Sequence, residues 1–310
     1  MTIHKKITVD SNHLYLFPLA DFAGGGYLMI DAGPNSDQAF DKLNENLNSA
    51  NIKLSSLKKI IITHAHSDHM GLANILSKQD IEFYVGAPDM SAYTSGSQFE
   101  AIIIRKTTAV LKKNGMPDSI LNQWLENKKS RLPLSAIPWA NIKPVVGKHA
   151  FPLMNNQMLE IVACPGHTPG SIAAYIPQTQ EIFSGDTILN NKIPSTGLHY
   201  ESISTEKQWS GITHFLNTIK QLKLIDIKKV YPAHGSEIIN HQAILDYYLE
   251  HFINFEKKIL LLLNNNLTNP FEITKKTYKH FLDFPVNNQV QAMIKIICII
   301  EKLNNAKQKN

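Results

Sequence analysis

Between positions 58 and 71 the chain reads KKIIITHAHSDHMG. The run Ile60, Ile61, Ile62 fits a strand buried on both faces. The three histidines and the aspartate that follow cannot be buried the same way, because uncompensated polar groups are costly in an apolar interior. Imidazole nitrogen and carboxylate oxygen suit zinc, and first-row metals more generally. On an extended segment His64 and His66 point to the same side. Asp68 and His69 lie one turn further on, where a tight loop entering a helix folds them back toward a second point. One short loop thereby offers two ligands to each of two metal positions.

Three later stretches fit the gaps. CPGHTPGS holds His167 in a loop stiffened by glycine and proline. FSGDTIL places Asp186 directly after a strand and Gly185, and YPAHG places His234 after another strand. Each puts a ligand-type residue at the C-terminal end of a predicted strand, where ligands collect in α/β sheets. His4, His13, His149, His214, His241, His251 and His280 have no motif around them and are assigned no role.

The elements that must carry these residues can be read from periodicity. ITVD, HLYLFPLA and YLMIDAG read as strands, with a turn at Gly24, Gly25 and Gly26. Ser36 to Ser49 has helical spacing at Phe40, Leu43 and Leu47, with Ser36 as N-cap. Gly71 to Lys78 reads as a helix and EFYVGAP as a strand. Residues 90–143 are helical, with Glu100–Asn114 and Asp118–Lys129 as the main stretches, and read as an insertion that covers a site. Strand patterning returns in KPVVG, QMLEIVACPG, SIAAYIP and EIFSGDTIL, followed by a helix from Thr205 to Leu222 and the strand KKVYPAHG. From His241 onward the pattern is helical only and ends in a frayed tail, NNAKQKN. The sum is a mixed α/β sheet.

THAHSDH, PGHTPGS, SGDT and PAHG, in this order and with the early strand end LMIDAG, resemble the metallo-β-lactamase fold superfamily. The resemblance covers residues 5–240 and implies a four-layer αββα sandwich with metals at one edge. It implies His64, His66 and His167 around one metal, Asp68, His69 and His234 around a second, and Asp186 bridging both. Asp31 would support the metal loop without being a ligand. It further implies two divalent cations, zinc first, with iron or manganese as the other candidates. A hydroxide bridging two cations would attack the substrate, since metal-bound water ionises near neutral pH. Asp68 would accept and orient the proton, and no nucleophilic side chain is needed. Ala65 stands where redox di-iron members carry a carboxylate, and the bridging Asp186 and complete second set disfavour antibiotic hydrolysis and persulfide oxidation. The expected activity is hydrolysis of a small ester, thioester or lactone, as in the hydroxyacylglutathione-hydrolase-like group. An endoribonuclease or phosphodiesterase is the second reading, and a regulatory or binding protein with incidental hydrolysis the third.

The domain expectation is a metallo-β-lactamase-fold hydrolase domain over residues 1–240, with the insertion at 90–143 as its lid. A small helical, winged-helix-like region over 241–310 follows, its expected β-wing missing. His199 and Tyr200 are offered as substrate contacts, although loop-surface roles are the plainer reading. Arg105, Lys106, Lys112, Lys113, Lys128, Lys129 and Arg131 in the insertion read as a solvated face. With 310 residues, a formal charge of +5 and two cysteines far apart, neither disorder, a disulfide framework nor a nucleic-acid surface is indicated. No run reaches membrane-span length. A cytoplasmic location, a small-molecule substrate, no membrane partner and a homodimer among the allowed assemblies complete the expectations.

Overall fold

Near-continuous apolar runs give the central strands two buried faces, and those faces decide the layers. The computed structural model describes residues 3–22, 25–129, 134–190, 192–200, 204–205 and 208–307. Gly24, Arg131 and the last three residues of the tail lie outside that set. The first strands are β1 (Lys5–Val9), β2 (Asn12–Leu19) and β3 (Gly26–Ile30), followed by helix α1 (Asp37–Ser49) and β4 (Leu57–Ile62). Two single turns, α2 (Ser67–Met70) and α3 (Ala73–Leu76), lead to β5 (Glu82–Gly86). Helices α4 (Met90–Ser95), α5 (Ser97–Lys113) and α6 (Asp118–Lys129) separate β5 from β6 (Ile142–Val145). Then come β7 (Ala150–Leu153), β8 (Gln157–Ala163), β9 (Ile172–Ile176), β10 (Glu181–Gly185) and the short pair β11 (His199–Tyr200) and β12 (Gln208–Trp209). Helix α7 (Gly211–Leu222), β13 (Lys229–Pro232) and three helices, α8 (His241–Asn264), α9 (Pro270–Thr277) and α10 (Val286–Lys307), complete the described chain.

The main sheet runs β13-β10-β9-β8-β7-β2-β3-β4-β5-β6, with β1 paired to β2. Its two halves meet at the register pair Leu19↔Leu153 and fold onto each other. Phe17, Leu28, Ile61, Phe151, Ala174 and Phe183 pack between the halves. Their strand neighbours Leu16, Met29, Ile60 and Ile62 point the other way, against Ala39, Leu43 and Leu47 of α1, as the two-residue period of a strand requires. On the far side Ala173, Ile182 and Val230 pack against Ile212, Phe215 and Ile219 of α7 and against the last three helices. The order is helix, sheet, sheet, helix, as the motifs implied.

Local chemistry explains the boundaries. Ser36 caps α1, its Oγ accepting from Ala39 N at 3.0 Å. Asn269 caps α9 in the same way, accepting from Glu272 N at 3.1 Å, with Pro270 at the first helical position. The helix expected over Gly71–Lys78 is instead the single turn α3, separated from α2 at Leu72 (φ −82°, ψ −3°); Gly71 itself keeps helical angles, and a Cβ there would lie 2.1 Å from the Asn35 nitrogen. The helix expected from Thr205 begins at Gly211, after β12 has paired with β11. Of the tail expected to fray, the part from Asn304 to Lys307 instead continues α10, which packs beside α8 and α9. Lys106 departs from the solvated face as well, because it is buried with Nζ 4.5 Å from the Tyr200 ring centroid. Arg105, Lys112, Lys113 and Lys129 are exposed, as expected. Among the described residues no strand follows α8 and no helix is long and apolar enough to cross a membrane.

Candidate metal centre

The loop after β4 leaves the sheet with its polar residues turned toward the ends of β10 and β13. His64 Nε2 lies 2.9 Å from His66 Nδ1, and His167 Nε2 lies 3.0 Å from the same atom. Three imidazoles therefore present nitrogen to one point. Asp68 Oδ2 lies 3.5 Å from His69 Nε2 and 3.3 Å from His234 Nε2, which defines a second point. Asp186 stands between the two. Its Oδ1 is 3.7 Å from His69 Nε2 and 3.5 Å from His234 Nε2, while its Oδ2 is 3.7 Å from His167 Nε2. The structure thus brings together all seven residues singled out in the sequence, in groups compatible with two cations.

The outward-facing atoms are held from behind. His69 Nδ1 is 2.8 Å from Asp31 Oδ2, and Thr63 donates its N–H to Asp31 Oδ1 at 2.7 Å. His167 Nδ1 donates to the Ser195 carbonyl at 2.6 Å, and His234 Nδ1 to the Ser11 carbonyl at 3.0 Å. These contacts fix ring orientation and leave the other nitrogen for the centre. Asp31 takes a left-handed conformation, φ 62°, which is uncommon outside glycine. Gly185, just before Asp186, has φ 52°, and a Cβ there would meet Thr63 Oγ1 at 2.6 Å. Glycine is what lets β10 end this close to the loop after β4.

The electrostatics divide the centre. His64 and His66 are held well below an ordinary histidine, first by the protein packed around them and then by neighbouring imidazoles, although His66 keeps one side open to a cavity. His69 is pushed the other way: burial opposes its charge, but Asp31, Asp68 and Asp186 outweigh it. The Asp68 carboxyl lies far below the usual carboxylate range, because His234 and His69 overcome the cost of burial. The donor set suits divalent cations by two tests. It consists of nitrogen and oxygen donors of the kind zinc takes. In addition, His69 Nε2 and Asp186 Oδ1 are buried without a hydrogen-bond partner, a cost that a cation between them would remove.

Asp89 escaped the sequence reading. It is buried just after β5 and accepts from Thr168 Oγ1 at 2.6 Å and from Gly170 N at 2.8 Å, with the Ala65 backbone as a further partner. It therefore ties the His64–His66 segment to the His167 loop. Burial pushes its carboxyl up to about 6. Its signal was available, since EFYVGAPD is another strand ending near a carboxylate, but Ala87 and Pro88 separate Asp89 from Gly86 in a 3-10 turn.

A cavity of about 480 Å³ opens beside His66, Asp68 and His167. Helices α5 and α6 line it, and so does α10. His199 and Tyr200 both face it, His199 with Nε2 3.0 Å from the His167 carbonyl and Tyr200 buried. They are not plain loop-surface residues, because β11 pairs with β12 and pins the loop over the centre. Burial pushes His199 down to about 4, so it faces the cavity neutral.

Comparison with known proteins agrees with this architecture. A family model for the metallo-beta-lactamase superfamily matches residues 19–85 and 99–234. A probable metallo-hydrolase of Bacillus subtilis, YqjP, is 23% identical over 258 residues, covering 82% of this chain and 78% of its own length. A beta-lactamase-like protein 2 homolog of Caenorhabditis elegans is 22% identical over 306 residues, 97% of this chain and 77% of that protein. The crystal structure of a metallo-beta-lactamase family protein from Thermus thermophilus superposes with a TM-score of 0.75 at 18% identity, covering 98% of this chain and 93% of that one. With the helix–sheet–sheet–helix order and a family match over more than half its length, the chain belongs to the metallo-beta-lactamase superfamily.

Proposed function

We propose that the protein is a metal-dependent hydrolase that holds two divalent cations, zinc first, and cleaves a small ester, thioester or lactone. The observation that carries this reading is the position of Asp186, whose two oxygens face the two separate groups of donors. His64, His66 and His167 would hold one cation, Asp68, His69 and His234 the other, with Asp186 shared. When bound, such cations supply Lewis acidity, lowering the pKa of water and stabilising an oxyanion. Asp68, about two-fifths exposed at the cavity edge, is placed to take the proton of the attacking water and to orient it. Asp31, Ser195 and Ser11 keep the imidazoles aimed. His199 and Tyr200, beside the centre, are offered as substrate contacts.

The cavity lining supports an acyl substrate over a phosphodiester. Lys128 is the only Lys or Arg among its described lining residues, while Asp68, Asp89 and Glu100 are acidic. A polyanion tracks several cations. Two measurements test the proposal. Metal analysis of purified protein is expected to find close to two ions per chain. A panel of a thioester, a lactone, bis-p-nitrophenyl phosphate and a short RNA is expected to show metal-dependent turnover of the first two. A single iron with oxygen consumption would overturn the hydrolytic reading, and turnover of the RNA alone would replace it with the nuclease one.

A further inference from the structure

The cavity beside the centre is walled by parts of the chain far apart in sequence. Ile103 and Ile104 come from α5, Trp124 from α6, Leu198 from the loop before β11, and Ile294 from α10. Trp124, Leu198 and Ile294 are each 6% exposed, so the apolar wall is packed from behind and does not belong to the outer surface. At about 480 Å³ the space lies within the range of ligand pockets, roughly 300–1,000 Å³. One end is the donor cluster, where a carbonyl would react. Beyond it, the apolar wall is joined by polar side chains, Glu100 and Lys128 among them.

Helix α10 is coupled to that cluster by hydrogen bonds. Gln291 Oε1 accepts from Ser195 Oγ at 2.9 Å, and the Ser195 carbonyl accepts from His167 Nδ1 at 2.6 Å. Cys298, two turns along α10, lies with Sγ 3.7 Å from the Gly197 carbonyl. The wall carrying Ile294 is therefore registered to the centre.

We propose that this chamber takes the apolar acyl chain of an ester or thioester, and that α10 sets the length of chain accepted. The proposal rests on the hydrolase reading above. Burying one more methylene in an apolar pocket is worth roughly tenfold or more in discrimination, so chain length is the direct readout.

The test uses the metal-loaded full chain with p-nitrophenyl acetate, butyrate, octanoate and laurate, and calorimetric titration with free acetate and octanoate. Octanoate ester is expected to exceed acetate ester in kcat/KM by roughly tenfold or more, and free octanoate to bind tighter than acetate by a similar factor. Ile294→Trp and Ile103→Trp are each expected to bring both ratios back toward one, with metal content and unfolding temperature retained. If Ile294→Trp loses the fold, Ile103→Trp, at a half-buried position, decides. Turnover by the parent that is indifferent to chain length would overturn the chamber and leave the hydrolase standing. Octanoate binding that weakens in the variants, with no ester hydrolysed, would overturn the hydrolase and keep the chamber.

Discussion

Asp68 and Asp89 are carboxylates of the same centre with different work. Asp68 lies between His69 and His234 and is open to the cavity. Asp89 is buried at the cavity wall and ties the loops together through Thr168 Oγ1 and Gly170 N. Replacing Asp68 with alanine is expected to lower kcat by about 10²–10⁴, the usual weight of a general base, while the unfolding midpoint, compared between the metal-free proteins, stays close to that of the parent. Replacing Asp89 with alanine strands the Gly170 N–H and leaves the Thr168 hydroxyl with Ser171 Oγ, and is expected to cost about 1–3 kcal/mol in urea unfolding. The two measurements made on both variants separate the roles. Equal losses of turnover and fold in Asp68→Ala would contradict a catalytic Asp68.

At the scale of elements, the helical layer is built around aromatic and apolar contacts from α7, α8, α9 and α10. On α8, His251 stacks on Phe255 with centroids 5.5 Å apart and meets Phe252 edge-on at 5.5 Å. Its Nε2 is buried without a partner. Burial, and next the Lys295 ammonium on α10, push it down to about 4 from 6.5. The fold thus favours the neutral ring over the imidazolium. The stability it contributes is complete above about pH 6.5 and is lost as the pH falls toward about 4. His251→Leu is expected to flatten the acid slope of unfolding free energy between those values, measured by urea titration at a series of pH. An unchanged slope would assign that limb to other groups.

At the scale of the molecule, the donors come from both halves of the sandwich. His64, His66, Asp68 and His69 follow β4, and Asp186 and His234 follow β10 and β13 in the opposite half. The backbone register joins those halves at Leu19↔Leu153. Cations held between them would act as a cross-link that binds only the folded state. At metal about 100-fold above Kd, such binding adds about 2.7 kcal/mol to stability. Thermal unfolding with and without a chelator is expected to show a lower midpoint without metal, restored by adding zinc. A midpoint indifferent to the chelator would argue against ligands shared between the halves.

Most strands of the main sheet and the candidate donors were legible from residues 5–240, because buried strands and short rigid loops are local features that leave local marks; β7 (Ala150–Leu153) and the short pair β11 and β12 were not, nor was the order of strands in the sheet. IIITHAHSDH carries its strand and its donors in one stretch, and CPGHTPGS, FSGDTIL and YPAHG do the same. Ser36 as a cap and the Leu43, Leu47 face of α1 follow from spacing alone. The need for glycine at position 71 was not legible, since it depends on the approach of Asn35 from another segment. Nor was Asp89 as a tie between two loops, or the burial of Lys106 under Tyr200. Gln291 and Ser195 are 96 positions apart, and no periodicity links them. The sequence by itself determined the centre, whose donors each sit at the end of their own strand. Only the tertiary structure decided the chamber, because its walls come from α5, α6 and α10, whose meeting depends on how the helical layer packs.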